Sequence, residues 1–446
     1  MRSLAEVLLG WGWQVSGSDL AADAMADLGA LGVRLHRGHA AEHVPAEADL
    51  VVASDAVPAH NPERRRAAEL RLPTWSYFEA LGRLMHGRRG IAVAGTHGKS
   101  TTAAMLAELL VRAGRDPVVA FGAAPLGRIS GGRAGRGDEM VVEACEYRAN
   151  FLHLRAQQAV ILAIEPDHFD CFDTVGQLEW AFRRFAASVP SEGLLLIRDD
   201  CPASARAAAG AGCRVETFGF GRRSDWSARG VIGRRGRYGF AIHRRQRHVA
   251  DVALGVAGRH NVLNALAAAA LASENGLAAE QIGAGLSDFR GLRRRLEHVG
   301  TRGGVTVLDD YAHHPTEVAA GLDAVRQMYP GRRLWCVFQP HQVSRTRRLL
   351  DELAHSLQNA DTVAVAEIYR AREPVPRPGE VSAAELAARV RRRGIDVADV
   401  HAPDEILALL ASRVSPGDVL ITMGAGDIGK VCYGFMDRLR EDRAAG

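Results

Sequence analysis

The chain has 446 residues, of which 47% are hydrophobic and 24% are charged, so its length predicts two or three soluble domains. A net charge of only +4 gives no sign of a nucleic-acid-binding surface. No apolar stretch approaches the roughly 18 residues of a membrane span, no signal peptide is recognisable, and the six cysteines contain no C-x-x-C pair. We therefore expect a cytoplasmic enzyme, monomeric or homodimeric, with neither nucleic-acid nor membrane partners.

The first block, residues 1–88, alternates helices with short strands. "LAEVLLGWGWQVSGSD" predicts a helix, a glycine break and a strand that ends at Ser18 and Asp19, and "ADLVVASDAV" predicts a strand followed by Ser54. Ligands of open α/β sheets bind beyond the carboxyl ends of the strands. Ser18, Asp19 and Ser54 are therefore candidate substrate-binding residues.

The second block, residues 89–298, contains buried strands around a glycine loop. "IAVA" predicts a strand, and a helix is expected from about Ser100 to Ala113. The apolar runs "EMVVEAC" and "AVILAIE" are typical of parallel strands that are covered on both faces. Arg222–Asp251 predicts hairpins added to this core, and "GRHNVLNALAAAALASENG" predicts a further helix.

The glycine loop "GTHGKS" is shorter than the usual phosphate-binding pattern G-x-x-x-x-G-K-[ST]. A loop between a buried strand and a helix directs backbone N–H groups and the helix dipole at phosphate. Lysine occurs only at Lys99 and Lys430, and a compact ammonium enters a phosphate-binding loop more easily than a guanidinium. The loop residues expected to bind ATP are Gly95, Thr96, His97, Gly98, Lys99, Ser100 and Thr101.

Acidic residues follow two later strands of the second block. Glu143 ends "VVE", and "EPDHFD" spans residues 165–170. Carboxylates suit Mg²⁺, whereas histidine is a less usual ligand. A histidine in such a segment is alternatively a capping or core residue, but the order of strands favours a metal site that Glu143 and the segment 165–170 both approach, with the Ser100 hydroxyl on Mg²⁺.

The third block, residues 299–446, again alternates strands and helices, which is the pattern of a doubly wound α/β domain. "GAGDIG" at residues 424–429 fits the pattern G-x-G-x-x-G. A dinucleotide site also needs a further strand and an acidic residue about 20 positions on, and only 17 residues follow Gly429. We interpret this segment as a turn in the last strand–helix unit.

Seven segments, in chain order, resemble the motifs of the Mur ligase family: "GTHGKSTT", "EACEYRANFLHL", "AIEPDHFD", "GRHNVLNALAA", "LDDYAHHPTEV", "FQPHQVSRTR" and "TMGAGDIG". The resemblance covers essentially the whole chain. It implies an α/β fold in three domains. These are a Rossmann-like UDP-substrate domain (1–88), a central P-loop-type ATPase domain (89–298) and a Rossmann-like C-terminal domain (299–446).

The resemblance also implies a reaction. Family members use ATP and Mg²⁺ to make an acyl phosphate that an amine then attacks. "DDYAHHPTE" followed by "FQPHQVSRTR" resembles the branch that adds L-alanine to UDP-N-acetylmuramate in peptidoglycan synthesis. The substrates expected from the resemblance are therefore UDP-N-acetylmuramate, L-alanine and ATP.

The family motifs assign roles to particular residues. Asn261 is expected to face the adenine, and Arg295 and Asp310 to lie near the phosphates and ribose. Tyr311, His313, His341 and Arg345 are expected on the side of the substrate carboxylate and alanine. The implied catalytic residues are Lys99, His168, Arg295, His313 and Arg345, and the implied ligands of the two Mg²⁺ ions are Ser100, Glu143 and His168. The structural alternatives are that His313, with His314 and Pro315, begins a helix and that Arg345 is a surface charge.

The sequence departs from the family in three places. Several family members carry a carbamoylated lysine, for which this chain has no spare lysine, and Gln342 stands where arginine is common. The chain also begins after the usual first strand and its Gly-rich loop. The N-terminal domain is therefore expected to be truncated, by a misplaced start or a real loss, and to bind the UDP substrate weakly.

Three alternative functions remain open at this stage. The first is another amide ligase, either a murein peptide ligase or one similar to folylpolyglutamate synthase. The second is a regulatory P-loop NTPase, and the third is a nicotinamide oxidoreductase that depends on "GAGDIG" alone.

Overall fold

The structure is a computed structural model that describes residues 1–20, 25–373, 379–398 and 402–444. Its helices are α1 (Arg2–Gly10), α2 (Ala26–Ala30), α3 (Pro62–Glu69), α4 (Tyr77–Met85), α5 (Lys99–Arg112), α6 (Val175–Ala187), α7 (Pro202–Ala208), α8 (Arg259–Glu274), α9 (Ala279–Asp288), α10 (Pro315–Met328), α11 (Val343–Arg348), α12 (Leu350–Ser356), α13 (Ala383–Arg391), α14 (Pro403–Arg413) and α15 (Gly429–Ala444).

The strands are β1 (Ser16–Asp19), β2 (Arg34–Arg37), β3 (Val51–Ala53), β4 (Thr74–Ser76), β5 (Arg89–Ala94), β6 (Val118–Phe121), β7 (Gly131–Arg133), β8 (Glu139–Glu143), β9 (Gln158–Ile161), β10 (Leu194–Arg198), β11 (Arg214–Gly219), β12 (Trp226–Arg234), β13 (Arg237–Arg244), β14 (Arg247–Ala257), β15 (Glu297–Arg302), β16 (Val305–Asp310), β17 (Leu334–Phe338), β18 (Thr362–Val365), β19 (Asp396–Ala398) and β20 (Val419–Met423). No described helix is both long enough and apolar enough to cross a bilayer.

The N-terminal part contains two parallel strand pairs, β1–β2 and β3–β4. Each pair is connected through a helix, which is the strand–helix–strand unit that parallel pairing requires. The helix α4 begins at a capping box in which Ser76 and Glu79 exchange side-chain and backbone hydrogen bonds of 3.2 and 2.6 Å. This cap fixes the chain direction just before β5.

The central part is a ten-stranded sheet in the order β14-β13-β12-β11-β10-β9-β5-β8-β6-β7. Strand β5 lies between β8 and β9, with Val93 beside Glu143 and Ala94 beside Ile161. The expectation of hairpins after Arg222 is confirmed, because β12, β13 and β14 pair antiparallel. The carboxyl ends of β5, β8 and β9 therefore meet at one edge of the sheet.

Helix α8 is buried around its whole circumference, since every residue from Asn261 to Ala272 is buried. A helix of this kind belongs inside a protein instead of on its surface. It packs against α5, the helix that follows the glycine loop at residues 95–98, which is called the phosphate loop from here on.

The third part is a six-stranded sheet in the order β15-β16-β20-β17-β18-β19. Strand β15 is an antiparallel edge, and the other strands are parallel. Neither β15 ("EHVGTR") nor β19 ("DVA") was predicted, because neither has the continuous apolar run of the central strands. The predicted division between residues 298 and 299 falls inside β15, whose pairing with β16 puts residues 297 and 298 in the third sheet.

Candidate active site

The phosphate loop turns sharply between β5 and α5. Gly95 and Gly98 have φ values of 128° and 78°, which glycine adopts readily. A Cβ on Gly95 would lie 2.9 Å from the Leu162 backbone nitrogen, and one on Gly98 would lie 2.4 Å from Oδ1 of Asn264. The loop is therefore packed against β9 and α8 in a conformation that excludes side chains at both glycines.

Lys99 folds back into the loop. Its Nζ donates to the carbonyl oxygens of Gly95 and Thr96, at 2.5 and 3.1 Å, and to both carboxylate oxygens of Glu146, at 3.1 and 2.9 Å. Burial alone would lower the pKa of Lys99, but the Glu146 charge raises it above the ordinary value. Lys99 likewise lowers the pKa of the buried Glu146 against the effect of burial. The ammonium is thus charged and held at the loop.

Ser100 and Glu143 lie in contact beside the loop. The Ser100 hydroxyl donates to Oε2 of Glu143 at 2.8 Å, and the Gly122 amide donates to the same oxygen at 2.7 Å. A hydroxyl and a carboxylate are oxygen ligands of the type that Mg²⁺ prefers. The third predicted ligand, His168, has its Nε2 3.3 Å from Oε1 of Glu146. The structure therefore brings Ser100 and Glu143 together and places His168 across Glu146 from Lys99.

Glu146 was not among the predicted site residues. The only signal for it in the sequence is its position as the second acid of "VVEACEY", three residues after Glu143.

A cavity opens between the ten-stranded and six-stranded sheets. Its lining includes the predicted residues His97, Gly98, Thr101, Asn261, Arg295 and Asp310, together with His260, Asn264 and Glu317, which were not predicted. Asn261 donates to the Ala257 carbonyl at 2.6 Å and accepts from Asn264 at 2.9 Å. The predicted adenine-side residue thus lines the same cavity as the phosphate loop.

Asp310 ends β16 at the floor of this cavity. Its carboxylate accepts the backbone N–H groups of Leu296 and Ala312 at 3.1 and 2.8 Å. Burial raises its pKa to about 7, even though Arg295 acts in the opposite direction. Tyr311 follows, with the Arg295 guanidinium 5.0 Å from its ring centre.

Arg345 is buried, so its interpretation as a surface charge is wrong. Its Nε donates to Oδ1 of Asp167 at 2.7 Å, and its Nη1 donates to Nδ1 of His341 at 2.8 Å. Burial would raise the pKa of Asp167, but Arg345 lowers it below the ordinary value. This pair joins the loop after β9 to α11. Asp167 was missed as a site residue, although it lies in the quoted segment "EPDHFD".

His313 and His97 approach Glu317 from opposite sides. The Nδ1 of His97 is 3.1 Å from Oε1 of Glu317, and the Nδ1 of His313 is 3.5 Å from Oε2. Burial would lower the pKa of His97, but Glu317 and Glu165 raise it to about 9. Burial lowers the pKa of His313 to about 4. The segment of His313, His314 and Pro315 does begin a helix, because His314 caps α10 and accepts the Thr316 amide at 3.3 Å while His313 lies just before the cap.

The N-terminal candidates lie at strand ends as expected. Ser18 ends β1 beside Asp19 and donates to Oε2 of Glu63 at 2.6 Å. Ser54 follows β3, and the next residue, Asp55, accepts from the Asn150 amide at 2.6 Å. The Ser54 segment therefore contacts the central part of the molecule.

Gln342, where the family commonly has arginine, is buried at the start of α11 with a φ of 67°. The backbone N–H of Gln342 donates to the Tyr369 carbonyl at 2.8 Å. Tyr369 in turn stacks on His341 with ring centres 5.6 Å apart. Gln342 thus shapes the backbone next to the candidate substrate side.

A short phosphate loop with an inward lysine, a serine–carboxylate pair and a cavity under a second α/β sheet together define an ATP-binding enzyme of the α/β class. Models of the Mur ligase family match along the chain. The catalytic-domain model matches residues 1–89, the middle-domain model residues 93–272, and the glutamate ligase domain model residues 294–426. The chain belongs to the Mur ligase family, and its N-terminal domain, expected to be truncated, is recognised from residue 1.

Individual relatives match nearly the whole chain. A UDP-N-acetylmuramate–L-alanine ligase of Clostridium novyi is 38% identical over 440 residues, which cover 98% of this chain and 95% of the relative. The solved UDP-N-acetylmuramate–alanine ligase of Thermotoga maritima superposes with a TM-score of 0.83 at 25% identity, covering 99% and 97% of the two chains. A murein peptide ligase of Psychrobacter arcticus gives a TM-score of 0.73 at 26% identity, covering 98% and 96%.

Proposed function

We propose that this protein joins L-alanine to the carboxylate of UDP-N-acetylmuramate, with ATP converted to ADP and phosphate, as a step of peptidoglycan synthesis. The observation that carries the proposal is the inward ammonium of Lys99 beside the Ser100–Glu143 pair, in a loop whose residues Gly98 and Thr101 line the cavity between the two large sheets. The similarity to L-alanine ligases over nearly the full length of the chain supports the choice of substrates.

The chemistry explains why ATP is needed. A carboxylate does not acylate an amine, because oxide would have to leave. Transfer of the γ-phosphoryl group to the carboxylate gives an acyl phosphate, from which the amine of L-alanine displaces phosphate to form the amide. The protein's contribution to such a transfer is positioning and charge neutralisation. Lys99 is suited to this role because its charge is fixed at the loop by Glu146.

The residues present fit a Mg²⁺ ion. Ser100 and Glu143 would hold one ion, and His168 with the neighbouring Glu146 would contribute to a second, in the absence of a lysine that could be carbamoylated. Mg²⁺ bound there supplies positive charge that offsets the charge of the phosphates.

The remaining site residues complete the proposal. We assign nucleotide contacts to the loop residues 95–101, Asn261, Arg295 and Asp310, and the UDP substrate to the N-terminal domain (residues 1–88) with Ser18, Asp19 and Ser54. The reacting carboxylate and amine are assigned to Tyr311, His313, His341 and Arg345. These four lie in one contact network with Arg295, Glu317 and Asp167.

Mass spectrometry of the product made from UDP-N-acetylmuramate, L-alanine and ATP tests the proposal. We expect a product that is heavier than the nucleotide sugar by one alanyl residue, and phosphate release that depends on both substrates. Phosphate release without an amide product would contradict the ligase assignment and favour a regulatory NTPase.

A murein peptide ligase is the second candidate, favoured by the similarity to the Psychrobacter arcticus enzyme. The two candidates differ in the amine-bearing substrate. Replacing L-alanine by a peptide that begins with L-alanine separates them, because product formed only with the peptide would support the second candidate.

A further inference from the structure

Three side chains beside the phosphate loop have the spacing of metal ligands. His97, Glu165 and His314 each offer one atom, and these atoms lie within 4.8 Å of one another. Nε2 of His97 is 3.4 Å from Oε2 of Glu165, and Nδ1 of His314 is 3.7 Å from the same oxygen. Two ligands held at about 2.1 Å by a tetrahedral ion are about 3.4 Å apart. The cluster therefore has almost the dimensions of an occupied site.

The outer nitrogens of both histidines already have partners. Nδ1 of His97 faces Oε1 of Glu317 at 3.1 Å, and Nε2 of His314 faces the Pro166 carbonyl at 3.2 Å. Histidine ligands usually donate their other N–H to a carboxylate or carbonyl in this way, which leaves the inner nitrogen free to bind a metal. The Thr316 hydroxyl similarly orients Glu165 at 2.5 Å.

The nitrogens of His97 and His314 that face the cluster have few hydrogen-bond partners. Nε2 of His97 is buried and has no hydrogen-bond partner among the described residues. Nδ1 of His314 accepts only the Thr316 amide, at 3.3 Å. A metal ion would replace this one long hydrogen bond.

The local charge also favours a cation. The carboxylates of Glu165 and Glu317 both face His97, at 3.4 and 3.1 Å from its ring nitrogens, so two negative charges lie beside the cluster. Two imidazoles with one carboxylate suit Zn²⁺ or Co²⁺, whereas Mg²⁺ prefers oxygen ligands such as Ser100 and Glu143.

We propose that His97, Glu165 and His314 form a binding site for a divalent transition-metal ion of the Zn²⁺ class, distinct from the oxygen-rich site at Ser100 and Glu143. His97 and Glu165 follow strands of the ten-stranded sheet, and His314 follows β16 of the six-stranded sheet. A bound ion therefore links the two sheets next to the nucleotide cavity. The proposal does not depend on the substrates, since binding is measured without them.

Equilibrium dialysis of the metal-free protein against Zn²⁺, in excess Mg²⁺, tests the site. We expect one Zn²⁺ per chain, and a loss of affinity of at least about 100-fold in His314→Asn. Asparagine is a good helix N-cap, so α10 should remain folded. Glu317→Gln, which keeps the three proposed ligands but removes the carboxylate that faces His97, His313 and Arg295, should weaken binding about 10-fold to 100-fold. His168→Asn should bind Zn²⁺ as the wild type does.

A second measurement does not depend on variants. Anomalous scattering from zinc-soaked crystals should place the ion between the three ligand atoms. The proposal is overturned by an ion found elsewhere, by absence of zinc binding in excess Mg²⁺, by unchanged binding in His314→Asn, or by loss of binding in His168→Asn, which would place zinc in the Mg²⁺ site.

Discussion

The protein contains two glycine-rich loops that look alike in sequence. The first, residues 95–98, follows the buried strand β5 and is followed directly by Lys99. The second, residues 424–429, follows the buried strand β20 and is followed directly by Lys430, the only other lysine of the chain. Both lie between a buried strand and a helix, which is the position in which anion-binding turns occur.

Side chains from elsewhere in the fold make the two loops different. The Arg294 guanidinium donates to the carbonyls of Gly424 and Gly426, at 2.7 and 3.1 Å, and Oε1 of Gln339 accepts the Ile428 amide at 3.3 Å. The second loop is thus filled by protein. A glycine pattern in the sequence therefore indicates only that the backbone can make a tight turn. Side chains from other parts of the fold decide whether a phosphate can enter that turn.

The first loop gives the largest expected effect. Lys99→Ala should lower kcat/KM by about 10³-fold, because it removes a charge-bearing donor from the site of phosphoryl transfer. Coupled-assay rates of phosphate release measure this. Activity within a few-fold of the wild type would show that the inward ammonium is only structural.

A matched variant separates catalysis from stability in that test. Lys99→Ala leaves the buried Glu146 without its cation, which is itself destabilising. Adding Glu146→Gln removes the unpaired charge, so the double variant should recover stability without recovering activity.

A substitution that disturbs the second loop should lower the stability of the protein. Arg294→Met leaves the fully buried Asp309 without its ion pair, although Thr422 still donates to Asp309 at 2.7 Å. We expect a loss of about 3 kcal/mol, measured as the free energy of opening of α15 by hydrogen exchange. The neighbouring exposed residue provides the control variant, Arg293→Met. Equal losses in both variants would mean that Arg294 does not hold the loop.

The same contrast explains what the sequence could predict. The phosphate loop and the Ser100 hydroxyl were found because strand, glycines, lysine and helix are consecutive residues. Strands such as β5 and β8 were likewise visible as apolar runs. The serine–carboxylate contact also followed, because neighbouring parallel strands end at the same edge of the sheet.

The interface between the two large sheets could not be predicted in this way. Asp167 meets Arg345 across 178 positions, and the burial of this pair overturned the surface interpretation of Arg345. Glu317 lies on α10, yet it contacts His97 of the phosphate loop. Such contacts depend on how the two sheets face each other. This arrangement leaves no periodic or local pattern in the sequence.

The pH response should distinguish the surroundings of the two loops. The Tyr369 ring lies against Gly426 and stacks on His341, whose Nδ1 accepts a hydrogen bond from Arg345. Burial lowers the pKa of His341 from 6.5 to about 3, and the nearby His313 and Arg345 act in the same direction. The folded protein keeps His341 neutral, so this residue does not lower the stability above pH 6.5. As the pH falls from 6.5 towards 3, the unfolded chain binds a proton at His341 that the folded chain does not, and the free energy of unfolding falls by up to about 1.4 kcal/mol per pH unit.

The first loop should be insensitive over most of this range. The Glu146–Lys99 pair keeps its full contribution above pH 4.5, because the pKa of Glu146 is lowered from that value by Lys99 against the effect of burial. Hydrogen exchange at pH 6.5 and 4.5, corrected for intrinsic rates, should therefore show opening of residues 339–346 but little change at residues 99–101, whereas His97 packs on His314, whose pKa burial also lowers. His341→Asn should abolish the difference, and an identical response of wild type and variant would contradict the assignment.

Lys430 should give the smallest effect. Its side chain is 83% exposed and its Nζ lies 3.9 Å from Asp427, an arrangement that contributes little to stability. Lys430→Ala should change neither phosphate release nor, beyond about 0.5 kcal/mol, the free energy of opening of α15. Because it removes the only other lysine ammonium of the chain, it is also the matched control for Lys99→Ala. A fall in turnover comparable to that of Lys99→Ala would mean that the second loop also takes part in nucleotide binding, and the contrast between the loops would be lost.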